Sequence, residues 1–185
     1  MIWESSYWKE DILRQAAALK KKTEQRLWPD RSYAHLEKIV MLGFYSIRKL
    51  IEAKKLTIDV INDQLSVISF PALGKAITLL NWHKFEQLYD LNRPKEQARS
   101  LQWLCNIFVH SYIFTPSFND QSHLQGLFFN SDLYRNKELY FVDIANVIRL
   151  FEVVGNDCAS YAERYRMNHL KGDFEVVLRN KQEKE

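Results

Sequence analysis

Two long amphipathic segments, separated by Pro29, constrain the fold more than any other feature of the chain. At helical spacing, one face of residues 6–27 collects Trp8, Ile12, Ala16, Leu19 and Leu27. Residues 33–55 carry a broader apolar stripe between Leu36 and Ile51. Proline disfavours α geometry in the residue before it, so the two helices are predicted to be separate. Each stripe has to be buried, which favours helices packed in layers.

The middle of the chain gives less uniform signals. Residues 65–80 contain β-branched side chains followed by proline and glycine, which favours an extended piece but leaves the assignment open. Residues 81–91 are compatible with a short helix. Pro94 predicts the start of a third long helix over residues 94–112, because its missing N–H costs nothing in the first turn of a helix.

Beyond these residues, extended signals alternate with helical ones. Residues 127–129 and 138–142 are apolar segments with turn residues between them, which predicts a hairpin. Asp143 has the character of an N-cap and Gly155 of a helix stop, so we expect a helix over residues 143–154.

This order predicts an α+β fold that is mainly α, with a helical bundle core and a small β-hairpin or sheet in the second half. Residues 159–170 are expected to add another helix. The chain of 185 residues has the length of one domain, so we predict a single domain over residues 1–185. Residues 181–185 are charged and expected to be a frayed tail.

Net charge and cysteine content limit the partners, cofactors and cellular location that we expect for this chain. The net charge of +3 permits a nucleic-acid partner without requiring one. Cys105 and Cys158 form no CxxC pair, so we expect reduced thiols rather than a disulfide scaffold or a cysteine zinc site. We also expect no cofactor. The apolar stretch 101–114 is too short and too polar to span a membrane. We therefore expect a cytoplasmic protein that does not bind membranes.

Asn106 and His110 are the polar residues that carry the functional interpretation. They lie four residues apart in the segment 99–114, which is apolar almost all round, and so they neighbour each other on a helix. One interpretation is a hydrogen-bonded pair in the core. The other makes His110 a general acid or base, since imidazole exchanges protons near neutral pH, with Asn106 orienting a substrate.

The stretch Asn106-Ile-Phe-Val-His110 in a long helix resembles the HEPN superfamily. Many members of that family are metal-independent ribonucleases of bacterial defence or toxin–antitoxin systems. Their signature is often Arg-Asn-x-x-x-His. The resemblance implies an up-and-down helical core, a homodimer that forms a composite site, and attack by the 2′-hydroxyl of the substrate RNA on the adjacent phosphate.

This chain departs from the signature, because Cys105 occupies the position of the arginine. Arg99 lies on the same predicted helix face as His110, but about 16 Å of helix rise before it. Arg48 and Lys49 of the second helix are the alternative cations for a phosphate. Together with Asn106 and His110, these three residues form the predicted site.

Two functions follow from these residues. The first, favoured by the missing arginine, is a HEPN-like non-catalytic interaction or scaffold protein in a bacterial defence or toxin–antitoxin setting, with a protein partner or a second copy. The alternative is a metal-independent ribonuclease with His110 as general acid/base and RNA as its substrate.

Overall fold

The computed structural model describes residues 2–157, 164–170 and 172–177. The helices are α1 (Ser5–Thr23), α2 (Asp30–Glu52), α3 (Ile58–Ile61), α4 (Leu101–Val109) and α5 (Ile144–Gly155), with a 3₁₀ helix at Trp82–Gln87. The strands are β1 (Gln64–Pro71), β2 (Lys95–Ser100), β3 (Ser111–Phe118), β4 (Leu124–Ser131), β5 (Glu138–Asp143), β6 (Arg164–Asn168) and β7 (Asp173–Val177).

The predicted helical bundle core with a small hairpin is wrong. Strands β1 to β5 form a five-stranded antiparallel sheet in the order β2-β1-β5-β4-β3, and this sheet is central, with the helices around it. The predicted hairpin is confirmed and consists of β4 and β5, but these strands lie inside a wider sheet. Strands β6 and β7 pair with each other in a separate two-stranded sheet.

The inner face of the sheet carries the main core. Helices α4 and α5 lie against the sheet, and α1 and α2 pack on them. A stack of rings connects the layers: the centroid of Phe108 on α4 lies 4.2 Å from Phe44 on α2 and 4.4 Å from Phe129 on β4. Gly43 of α2 has no side chain because a Cβ there would overlap the ring of Phe151 on α5. The sequence patterns of α1, α2 and α5 therefore describe helices that cover one another as well as the sheet.

The outer face is covered by the segment between β1 and β2. A second buried cluster joins Ile77, Leu88 and Tyr89 of this segment to Phe70, Ile113 and Leu139 of the sheet. The hydroxyl of Tyr89 donates to the carbonyl of Arg135 at 2.5 Å and accepts from the amide of Asn130 at 2.8 Å. Hydrogen bonds therefore contribute to the attachment of this irregular segment.

The expected helix over residues 94–112 is wrong at both ends. Residues 95–100 form β2, an edge strand that pairs with β1, and α4 begins only after Ser100, whose hydroxyl accepts from the backbone N–H of Trp103. The helix ends before His110, and β3 starts at Ser111. The apolar pattern after His110 therefore belongs to a strand paired with β4.

Other boundaries differ less. Helix α1 ends at Thr23, so Leu27 lies outside it and is 84% exposed. Asp143 caps α5 as predicted, with its carboxylate accepting from the N–H of Ala145.

Within the expected helix 159–170, the described residues form β6 and the turn after it. Cys158 and the predicted frayed tail, residues 181–185, lie outside the described residues. No described helix is long and apolar enough to cross a membrane.

Candidate functional site

Asn106 and His110 lie on the solvent-facing side of α4. Both side chains are exposed, and His110 is the C-cap residue, whose backbone N–H donates to the carbonyl of Asn106 at 3.1 Å. The amide of Gln102 donates to the Asn106 side chain at 3.4 Å. The interpretation of a buried, hydrogen-bonded pair is therefore wrong, because these side chains are open to solvent.

The two residues line an open cleft with a volume of about 420 Å³. One wall is formed by α4 and its C-cap, including Trp103 and Ile107. The other is formed by residues 131–134, at the end of β4 and in the turn after it. Leu133 stands at this cleft and is 70% exposed, although it is a large apolar residue. Asp132 pairs with Arg135 at 3.1 Å. The cleft thus combines apolar walls with an imidazole, an amide and a carboxylate.

Sequence reasoning missed the second wall. The pair Ser131-Asp132 carries a turn signal, and a strand ends there as expected. However, no local pattern indicates that this turn lies opposite α4. The pairing of β3 with β4 brings them together, because β3 starts directly after α4 and its Ser111 lies opposite Ser131.

The three predicted cations do not line this cleft. Arg48 and Lys49 both bind the carboxylate of Glu52, at 2.9 Å and 2.6 Å. Hydrogen bonds from these two cations lower the pKa of Glu52, whereas the hydrogen bond to this carboxylate raises the pKa of Lys49. Both cations are therefore paired with the one carboxylate of Glu52, about one turn further along their own helix.

Arg99 occupies a different place from the one predicted. It lies on β2 rather than on the helix, and its guanidinium stacks on the ring of Trp103. The distance from the guanidinium carbon Cζ to the ring centroid is 4.7 Å. It also lies 5.8 Å from the ring centroid of Tyr140 and donates to the side chain of Gln97. This arginine is held by aromatic rings of the inner layer and does not face His110 across the cleft.

The surroundings of Cys105 are those that the arginine of the HEPN signature would have in this fold. The residue is fully buried in the inner core, and burial raises the pKa of its thiol to about 12, although the charge of Arg48 acts in the opposite direction. A guanidinium here would be taken out of water. The position that precedes Asn106 therefore faces the core, while Asn106 itself faces the cleft.

Comparisons of this chain with protein-family models, with curated proteins and with solved structures find no match. What the described residues define is a class of architecture: an α+β protein with a central antiparallel sheet and an open, largely apolar cleft at the end of one helix. Functional inference for this chain therefore starts from its own residues.

Proposed function

We propose that this chain is a non-catalytic interaction protein that binds a partner protein through the cleft at the end of α4. The observation that carries the proposal is the exposed Leu133 beside an apolar cleft. Exposed apolar surface that adjoins a concave site is typical of binding sites. Asn106, His110 and Asp132 would contribute the polar rim that orients the partner.

The arrangement of positive charge supports binding over phosphate chemistry. Phosphate recognition in proteins relies on free cations close to the substrate. Arg48 and Lys49 share the carboxylate of Glu52, and Arg99 is stacked on Trp103. The relationship to HEPN proteins, a bacterial defence setting and a cytoplasmic location belong to the same proposal. The unpaired thiol of Cys105 is compatible with a reducing compartment.

The test is a selection of displayed random peptides on the immobilised chain, followed by affinity measurements on the selected peptides. We expect peptides with a large apolar residue, and we expect Leu133→Asp to weaken them at least about tenfold, since a carboxylate in the apolar contact would have to lose its water. Leu27→Asp is the matched control, because Leu27 is equally apolar, 84% exposed and away from the cleft. Equal weakening by both variants, or no peptide that depends on Leu133, contradicts the proposal.

A second copy of the chain is one partner that the cleft could bind. In that case the Leu133→Asp variant would sediment as a monomer at concentrations at which the wild type is a dimer. A wild-type chain that sediments as a monomer at all concentrations would exclude the second copy and leave the partner a different protein.

A ribonuclease is the second candidate, and one observation favours it: the side chains of Asn106 and His110 are both exposed on the same cleft. His110 would then transfer protons during attack of the 2′-hydroxyl, without a metal ion. The test is cleavage of RNA by the purified chain in EDTA. Cleavage that disappears in His110→Ala and persists in His83→Ala, a control at another exposed histidine, would establish this activity. Absence of cleavage by the wild type contradicts it.

A further inference from the structure

The irregular segment between β1 and β2 covers only part of the outer face of the sheet and leaves the first half of β1 exposed on that face. The buried outer cluster includes Phe70 of β1, but Ile68 is only half-buried and Ser66 is exposed. These two residues line a separate groove with a volume of about 590 Å³. This groove is larger than the cleft beside His110. Its Ile68 and Phe141 pack on the outer cluster, and Asn146 from the first turn of α5 borders it. It is therefore a second concave surface, independent of the first.

The floor of the groove is a row of side chains that cross the sheet. Glu96 of β2 pairs with Ile68 of β1, which pairs in turn with Phe141 of β5. Gly126 of β4 supports this arrangement, because a Cβ at that position would overlap the ring of Phe141. The absent side chain lets the aromatic ring lie against β4. An aliphatic and an aromatic side chain thus form the floor, and a carboxylate stands at one end of it.

The walls of the groove carry oxygen acceptors. Glu96 accepts from the hydroxyl of Ser66 at 2.6 Å through Oε1, and Asp143 accepts from the N–H of Ala145 at 2.7 Å through Oδ1. Within the described parts of the chain, neither carboxylate forms an ion pair, and each keeps its second oxygen without a hydrogen bond. Gln125 and Asn146, which both carry a side-chain amide, line the same groove.

We propose that this groove binds an organic cation, an ammonium or guanidinium group, over the ring of Phe141 and between the carboxylates of Glu96 and Asp143. An aromatic floor attracts a cation through the negative face of the ring, and each carboxylate has an oxygen available for a charge-assisted hydrogen bond. The amides of Gln125 and Asn146 provide further acceptors for N–H groups. A volume of about 590 Å³ accommodates a ligand of the size of an arginine side chain with its backbone.

The same chemistry is presented by a basic side chain of a peptide and by a free polyamine. Titrations followed by proton–nitrogen correlation spectra of the whole chain distinguish them, with N-acetyl-arginine amide, spermidine and N-acetyl-citrulline amide as probes. Citrulline has nearly the shape of arginine without its charge. We expect saturable shifts at the backbone amides of Ser66, Gln125 and Asn146, with citrulline at least about tenfold weaker than arginine, since it lacks the charged hydrogen bonds. Whichever of the two cations binds more tightly identifies the class of ligand.

Variants of the two carboxylates test the location of the site. Glu96→Gln and Asp143→Asn remove a charge at nearly constant size, and asparagine preserves the N-cap of α5. We expect each to weaken binding of the cation at least about fivefold, whereas Glu86→Gln, which removes a carboxylate from the exposed side of the 3₁₀ helix, leaves the Kd within about twofold. Circular dichroism checks the fold of each variant.

Three outcomes would overturn the proposal. They are the absence of saturable shifts with any of the three probes, binding of citrulline as tight as binding of arginine, and equal weakening by the Glu86→Gln control. None of these measurements depends on the cleft beside His110, so this proposal and the proposed interaction function fail separately.

Discussion

The two faces of the central sheet are covered in different ways. The inner face is covered by helices, and its core contains a continuous stack of Phe44, Phe108 and Phe129. The outer face is covered by an irregular segment that is attached through a buried apolar cluster and through the hydrogen bonds of Tyr89 and Asn130. Helices therefore cover their side of the sheet more completely, whereas the irregular segment leaves part of its side open as a groove.

The largest expected effect is on the inner face. Phe108→Ala removes the central ring of the stack and should lower the free energy of unfolding by about 4 kcal/mol, because a cavity remains between packed layers. Phe128→Ala on the outer face is the matched comparison, since Phe128 is half-buried among Phe85 and Phe141. We expect it to cost roughly half as much. Unfolding by urea measures both, and equal costs would contradict the difference between the faces.

A smaller effect is expected at the hydrogen bonds of the outer face. Tyr89→Phe should cost about 1–2 kcal/mol, since the amide of Asn130 and the carbonyl of Arg135 each lose a partner. The effect also depends on pH. Burial raises the pKa of Tyr89 to about 12, so the folded state holds the phenolic proton more tightly than the unfolded state.

The contribution of Tyr89 to stability is therefore fully present below pH 10 and is lost as the pH rises toward 12. Urea unfolding at several pH values should show the advantage of the wild type over Tyr89→Phe shrinking across this window. An advantage that stays constant would mean that the hydroxyl acts without its proton being linked to folding.

The smallest effect is expected at the cleft, outside both cores. His110→Ala should lower the free energy of unfolding by less than about 1 kcal/mol, because the side chain is exposed and the helix keeps its backbone hydrogen bond to Asn106. Thermal melts measure the change. A loss above about 2 kcal/mol would show that the imidazole is structural, and it would weaken both functions proposed for the cleft.

Helices with a regular apolar stripe could be predicted because local spacing determines them. Residues of α1, α2 and α5 repeat their apolar positions every three or four residues, and Asp143 caps α5 where the sequence indicates. The hairpin of β4 and β5 follows from apolar segments and turn residues. These predictions depend on neighbours in sequence, and the structure confirms them with small changes at the ends.

Strand β2 could not be predicted for a physical reason. Its sequence, Lys-Glu-Gln-Ala-Arg-Ser, is polar and has no buried residue, because it is an edge strand of the sheet. Its extended conformation follows from pairing with β1, which lies about thirty residues away in sequence. Pro94, the residue that suggested a helix start, precedes this strand.

The candidate site was predictable in part. The spacing of four residues correctly made Asn106 and His110 neighbours, because His110 caps the last turn of α4 and its N–H bonds to the carbonyl of Asn106. The positions of Arg48, Lys49 and Arg99 depend on the contacts of other elements, and those contacts place them elsewhere. The opposite wall at Leu133 likewise depends on the pairing of β3 with β4.

Local sequence patterns predict the amphipathic helices, the hairpin and the adjacency of Asn106 and His110, since each of these depends on residues close together in the chain. Contacts between distant residues place a five-stranded sheet at the centre, end α4 at Val109, and form the cleft and the groove on the surface. Strand pairing and layer packing join residues that are distant in sequence, and local periodicity carries no information about such contacts.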